Sequence, residues 1–152
     1  MPIYLDHAAT TPILPQALAA MEEGFRIWAN PSSPHKAGRA ARAALEDARA
    51  RVKAALGWTG EVIFTSGASE ALALAINHAP ANRRSPALTS AVEHEAVLRL
   101  TLDALRIGVA PDGQLNLSEL EQALASQAPA LVAIQHVNSE TGVVQDLSAI
   151  AG

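Results

Sequence analysis

The sequence predicts an α/β domain built on a mostly parallel sheet flanked by helices. Three observations carry that prediction. Short β-rich runs alternate with longer stretches of helical period, and helices of this length between strands imply crossover connections. The strongest apolar run, residues 130–137 (A-L-V-A-I-Q-H-V), is nearly continuous, as a strand buried on both faces should be. Polar or small clusters follow the predicted strands, where ligands bind in open α/β sheets.

The elements follow in order. Residues 12–28 read as a helix, with Leu14, Leu18, Met21 and Phe25 at spacings of three and four. Pro31 and Pro34 break it. A second helix is expected over 36–56, with an inward stripe of Ala41, Ala44, Leu45, Ala48, Val52, Ala55 and Leu56, and Gly57 as its stop. Residues 61–65 (E-V-I-F-T) form a short β-rich run, followed by a helix to about His78. A strand is expected at 87–91, a helix at 94–105, a strand at 106–109 and a turn at Pro111-Asp112-Gly113. Ser118 opens a Ser-Glu-Leu-Glu segment that matches a capping box. Asp146 reads as the cap of a last helix carrying Leu147 and Ile150. That helix has barely one turn before Gly152, too little to support itself, so the expectation is a truncated domain with open sheet edges that promote association.

Composition narrows the function classes. At 152 residues, 49% hydrophobic and 17% charged, the chain belongs among globular domains rather than disordered ones. A formal net charge of −4 provides no basic footprint for nucleic acid or anionic lipid. No apolar run reaches the length of a membrane span, and the start lacks a signal-peptide pattern, so a cytoplasmic protein is expected. Cysteine is absent, which excludes disulfides, thiolate metal sites and a cysteine nucleophile within these residues.

Three clusters carry chemistry. Thr65-Ser66-Gly67-Ala68-Ser69-Glu70 is a small-residue turn at a helix start, where free N–H groups and the helix dipole favour a phosphate and Ser69 adds a hydroxyl. An ordinary capped helix start reads the same way. Glu93-His94-Glu95 places an imidazole after a strand, where it could stack on a ring, shuttle a proton or simply cap a helix. A zinc site is not indicated, because no second histidine follows His94 at four residues. His136-Val137-Asn138-Ser139-Glu140-Thr141-Gly142 ends the strongest strand, as a ligand loop or as a plain polar loop.

The ordered set resembles the class V aminotransferase-like enzymes, and specifically the cysteine desulfurases. The resemblance lies in Tyr4-Leu5-Asp6-His7-Ala8-Ala9-Thr10-Thr11-Pro12, in Asn30-Pro31-Ser32-Ser33-Pro34-His35 with Gly38 and Arg39, and in the three clusters above, all in family order. It implies part of a fold-type I pyridoxal-phosphate transferase large domain, with residues 1–30 as an N-terminal segment and helix and 31–152 as the start of the cofactor-binding domain. Pyridoxal 5′-phosphate is then the expected cofactor and L-cysteine the substrate. A sulfur-acceptor or scaffold protein, and a second copy in a homodimer, are the expected partners.

The resemblance also implies residue roles. Ala68 and Ser69 fall where the family holds the cofactor phosphate. His94 falls on the histidine that stacks over the pyridine ring and assists proton transfer. Ser139 falls on the second Asn of the family's Asn-Asn pair, which meets the cofactor's phenolic oxygen. Serine is shorter and lacks the amide, leaving Asn138 or a water to substitute. The family's Schiff-base lysine and persulfide cysteine have no counterpart here, since Lys36 and Lys53 occupy no matching position. These residues alone are therefore expected to be inactive. Two alternatives remain open: a selenocysteine lyase or other class V enzyme, and a non-catalytic binding or assembly module.

Overall fold

The computed structural model describes residues 3–79, 87–126 and 131–151. These divide into two compact units, Met1–Phe64 and Thr65–Gly152.

The first unit is helical. Helix α1 spans Pro15–Arg26, with proline at its first position, where the missing N–H costs nothing. Helix α2 spans Lys36–Leu56, the predicted range. His35 caps it by accepting the Gly38 N–H on Nδ1 at 3.2 Å. Gly57 ends it at φ 60°, a left-handed turn that glycine adopts without steric cost. The expected inward stripe of α2 is not buried. Ala44, Ala48, Val52, Ala55 and Leu56 are exposed, while Ala41 and Leu45 are half-buried. The apolar residues of α1 are exposed too, with Leu18 at 46% and Phe25 at 69%. Two helices cover each other along one seam only, and here the seam is a groove lined by Ala20, Gly24, Ile27, Ala41 and Leu45. The β-rich run at 61–65 is not a strand, because no neighbour among the described residues forms a ladder with it. Trp58 instead donates its indole N–H to the Glu61 carbonyl at 3.0 Å.

The second unit holds the sheet. Strands β1 (Ala87–Ser90), β2 (Leu105–Ile107) and β3 (Leu131–Ala133) lie in the order β2-β1-β3. Both pairings are parallel, with Leu88 opposite Leu105 and Val132. As the central strand, β1 is buried along Leu88, Thr89 and Ser90. The rest of the predicted 130–137 run beyond β3 is not strand, and Ala130 lies outside the described residues. Helix α3 (Ala68–His78) precedes the sheet, α4 (Glu95–Leu98) follows β1, α5 (Leu117–Ser126) follows β2, and α6 (Leu147–Ala151) follows β3. The core joins Leu88 and Ile107 of the sheet to Leu115 and to Leu120 and Ala123 of α5. Burying a leucine side chain of this kind stabilises the fold by about 1.5–3 kcal/mol. The predicted α/β class with a parallel sheet and flanking helices is thus observed.

Two local expectations give way. The helix expected over 94–105 lasts one turn, because Leu100, Thr101 and Ala104 donate their N–H groups three residues back, to Val97, Leu98 and Thr101. These tight turns bring the chain directly into β2 at Leu105. Asn116, not Ser118, caps α5: its Oδ1 accepts the Glu119 N–H at 3.2 Å. Glu119 sits where a capping-box carboxylate would turn back to that cap, yet its Oε2 accepts the Gly108 N–H at 2.9 Å.

Candidate active site at the strand ends

The carboxyl ends of β1 and β3 lie side by side because their strands are parallel neighbours. Each polypeptide then leaves the sheet through a polar cluster. After β1 come Glu93 and His94, and His94 is the N-cap of α4, its Nδ1 accepting the Ala96 N–H at 3.0 Å. That bond assigns the lone pair to Nδ1 and leaves Nε2 as the nitrogen able to exchange a proton. The imidazole is exposed. The capping role open from sequence is therefore real, and it leaves the ring face and Nε2 free of described partners.

After β3 the chain enters a loop held by its own hydrogen bonds. Asn138 Oδ1 accepts the N–H groups of Glu140 and Thr141 and the Thr141 hydroxyl, at 2.9–3.1 Å. Its Nδ2 donates to the Val92 carbonyl at 3.2 Å. Gly142, at φ 74°, closes the turn by donating its N–H to the Asn138 carbonyl at 2.9 Å, and Val137 bridges Val144 antiparallel. Gln145, 4% exposed, anchors the return: Oε1 accepts the Leu115 N–H and Nε2 donates to the Gly113 carbonyl, both at 2.9 Å. The Asn138 Oδ1 is thus committed to holding the loop, while Nδ2 has one described bond, to Val92, and a second N–H to donate. Substitution by Asn138 for the missing amide at Ser139, open from sequence, therefore rests on that second N–H alone. Ser139 itself is exposed and has no hydrogen bond among the described residues.

His94 and Ser139 line a common cleft of about 400 Å³ with Glu93, Glu95, Gln135 and Glu140. A second recess of about 420 Å³ shares both residues and adds Leu72 of α3. Three glutamates line the first cleft, with no lysine or arginine among its lining residues, so it disfavours an anion. Ala68 and Ser69 line neither recess. They occupy the first turn of α3, one helical turn (about 5 Å) before Leu72, and are exposed. Their N–H groups, with no earlier turn to accept them, have no hydrogen-bond partner among the described residues, and neither has the Ser69 hydroxyl.

Glu70 complicates that turn. Its Oε2 accepts both the N–H and the hydroxyl of Ser66, at 2.6 and 2.7 Å. These bonds, the backbone one first and the side-chain one second, hold its carboxyl below the usual range against a small opposing effect of burial. The carboxylate takes the Ser66 donors and leaves those of Ala68 and Ser69 for an anion.

Sequence reasoning missed the roles of Glu93, Gln135 and Asn138, which link the two strand ends. Glu93 Oε1 accepts the Ser90 hydroxyl at 2.9 Å and the Gln135 N–H at 2.7 Å, and Gln135 Nε2 donates to the Val92 carbonyl. The one available signal was a carboxylate three residues after a serine on a strand buried along its length.

Comparison with known proteins adds the family. A family model described as aminotransferase class-V matches residues 3–152. The chain is 42% identical to a cysteine desulfurase of Enterobacter agglomerans and 38% identical to the cysteine desulfurase IscS of Proteus mirabilis, with 98% and 99% of the chain aligned. It spans only about 40% of the length of these curated relatives. Among solved structures, a NifS-like protein from Rickettsia africae superposes with a TM-score of 0.83 at 34% identity, covering 97% of this chain and 43% of that one. Another NifS-like protein superposes with a TM-score of 0.86 at 29% identity, over 99% and 44%.

Proposed function

This chain belongs to the aminotransferase class-V family, and on that premise we propose that it carries part of the cofactor site of a pyridoxal-phosphate-dependent cysteine desulfurase. The observation that carries the reading is a convergence. His94 and Ser139 share the second recess as well as the cleft, and Leu72 on the wall of that recess lies one turn from Ala68 and Ser69, whose donors have no partner among the described residues. The donor set suits the group: an anion-ready helix start, a free imidazole face and a free hydroxyl.

Each residue has a task within its own chemistry. The N–H groups of Ala68 and Ser69 and the Ser69 hydroxyl bind the phosphate, aided by the positive end of α3. His94 offers its ring face to the pyridine and exchanges a proton at Nε2, Nδ1 being held by Ala96. Ser139 offers one hydroxyl to the phenolic oxygen, directly or through a water, and Asn138 Nδ2 has a second N–H beyond its bond to Val92. The exposed Glu95 and Glu140 lining the cleft favour a cationic ammonium over a second anion. When bound, pyridoxal phosphate supplies an electron sink for an amino-acid substrate.

In the whole protein, L-cysteine is the substrate, alanine the released product, and an acceptor or scaffold protein the destination of the sulfur. The proposal includes a cytoplasmic homodimer. Among the described residues no helix is long and apolar enough to cross a membrane. The chain has no cysteine to carry a persulfide and only Lys36 and Lys53 as lysines. Supplied with the cofactor and L-cysteine, these 152 residues should therefore release no alanine.

Hydrogen exchange read by mass spectrometry tests the site. Pyridoxal 5′-phosphate should slow exchange at residues 66–70 and 92–96 together, whereas inorganic phosphate should protect only the former. Ser139→Asn should strengthen cofactor binding about fivefold, the gain of roughly one extra hydrogen bond. If the cofactor leaves 92–96 unprotected at saturation of 66–70, His94 does not face the ring and the reading falls.

A further inference from the structure

Among the described residues, the proposed reaction leaves one buried ionisable side chain without a task. Glu93 stands just past the end of β1, 8% exposed, and walls both recesses. Its Oε1 accepts two donors, the Ser90 hydroxyl at 2.9 Å on its own segment and the Gln135 N–H at 2.7 Å across the cleft. The preceding carbonyl, Val92, accepts two more, Gln135 Nε2 and Asn138 Nδ2. Three of these four bonds span 42 to 46 residues of sequence. Beyond the strand ladder, no other hydrogen bond among the described residues links residues 91–96 to 134–142.

His94 follows this clamp directly on one side, and Ser139 directly on the other. We infer that Glu93 is a positioning residue, which with the Val92 carbonyl sets the spacing between His94 and Ser139 and so the width of the cleft. The inference rests on the reading of those two residues given above. A strand ladder fixes where β1 and β3 end, but the residues beyond it are free to splay unless something ties them. One carboxylate oxygen can accept two donors at once, and its companion Oε2 has no hydrogen bond among the described residues. The tie therefore needs an acceptor at Oε1 and not a full carboxylate. Glutamine meets that requirement and alanine does not.

The experiment compares Glu93→Ala, Glu93→Gln and Gln135→Leu with the parent chain, by hydrogen exchange with no ligand, with inorganic phosphate and with pyridoxal 5′-phosphate. Glu93→Ala should speed ligand-free exchange at 91–98 and 134–142 at least tenfold while leaving 105–126 unchanged. It should weaken cofactor protection at 92–96 at least tenfold, yet leave phosphate protection at 66–70 within twofold. Glu93→Gln should stay within twofold of the parent in every measurement. Gln135→Leu removes one arm of the clamp and should fall between, at about threefold.

A purely structural Glu93 would weaken both ligands alike, and that result overturns the inference. Unchanged exchange in Glu93→Ala, or equal loss in Glu93→Gln, overturns it as well. If Glu93→Ala loses protection across 105–126, Gln135→Leu decides, and no effect there counts against the clamp. A parent chain that shows no cofactor protection at 92–96 defeats the functional reading instead. The ligand-free comparison still judges Glu93 in that case.

Discussion

The strand-end cleft and the α3 turn belong to one candidate site but are held in opposite ways. The cleft is tied by hydrogen bonds between residues 42 to 46 apart, from Glu93, Gln135 and Asn138. Among the described residues the turn is tied only to itself, through Thr65 to Gly67 and Ser66 to Glu70, never beyond four residues. Long-range ties set geometry before a ligand arrives, whereas local ties leave donors ready but the turn free to adjust. In the proposed site the ring end is thus preorganised and the phosphate end adaptive. That division suits the chemistry, because a phosphate tolerates many donor arrangements and a stacked ring tolerates few.

The largest expected effect breaks the preorganised side. Asn138→Ala removes three acceptor contacts within the loop and the donor to Val92. The freed N–H groups of Glu140 and Thr141 are exposed, so water compensates part of the loss. The half-buried link to Val92 is not so easily replaced. Together these should destabilise the second unit by about 1–3 kcal/mol, measured as a shift in urea midpoint at unchanged slope. A shift below about 0.5 kcal/mol would mean the loop is held by the Val137–Val144 bridge and Gln145 instead.

The same contrast explains how much was legible in the sequence. Local features were: α2 over its full range, Gly57 as its stop, the β1 strand and Asp146 as a cap, whose Oδ1 accepts the Ser148 and Ala149 N–H groups. The helix, its stop and the Asp146 cap depend on residues within one turn of each other, whereas β1 also required its parallel partners β2 and β3. The run at 61–65 has strand composition, but a strand needs a partner, and composition does not say whether one is adjacent. Asn116 and Ser118 both offer capping chemistry before Glu119 and Glu121, and only the observed bond from the Glu119 N–H to Asn116 Oδ1 separates them. The cluster at Glu93 and His94 was visible, but the clamp was not, because its partners lie more than 40 residues away. His94 drew notice as a titratable ring, while the residue that fixes its place looked like an ordinary charge.

A smaller effect is expected on the adaptive side, and on binding rather than stability. Ser69→Ala deletes an exposed hydroxyl with no hydrogen-bond partner among the described residues, at the second position of α3. Stability should change by less than about 0.5 kcal/mol. Affinity for pyridoxal 5′-phosphate should fall about three- to tenfold, the worth of one hydrogen bond to an anion, as read by calorimetry. Equal losses in stability and affinity would show that Ser69 holds the turn rather than the ligand.

The smallest effect concerns pH at the same turn. Ser66 donates twice to Glu70, first through its backbone and then through its hydroxyl, and so lowers the carboxyl below its ordinary value of 4.5. A carboxyl with a lowered folded value contributes stability that is fully present above the unfolded value. That contribution is lost as pH falls through the folded value. Near neutral pH the bond is intact, so the turn should be unaffected across the physiological range. Below about pH 4.5 the Ser66 donors should progressively lose their acceptor and the start of α3 should fray. Hydrogen exchange at residues 66–71, referred to Glu70→Gln at each pH, isolates the effect from the intrinsic pH dependence of exchange. Glutamine keeps an acceptor oxygen but cannot titrate, so the two proteins should converge at low pH and separate above it. Because Glu70 is exposed, the separation should be a few-fold at most and confined to the turn. If it spread to residues 91–98, the two ends of the site would be coupled, and the division between a preorganised and an adaptive half would fail.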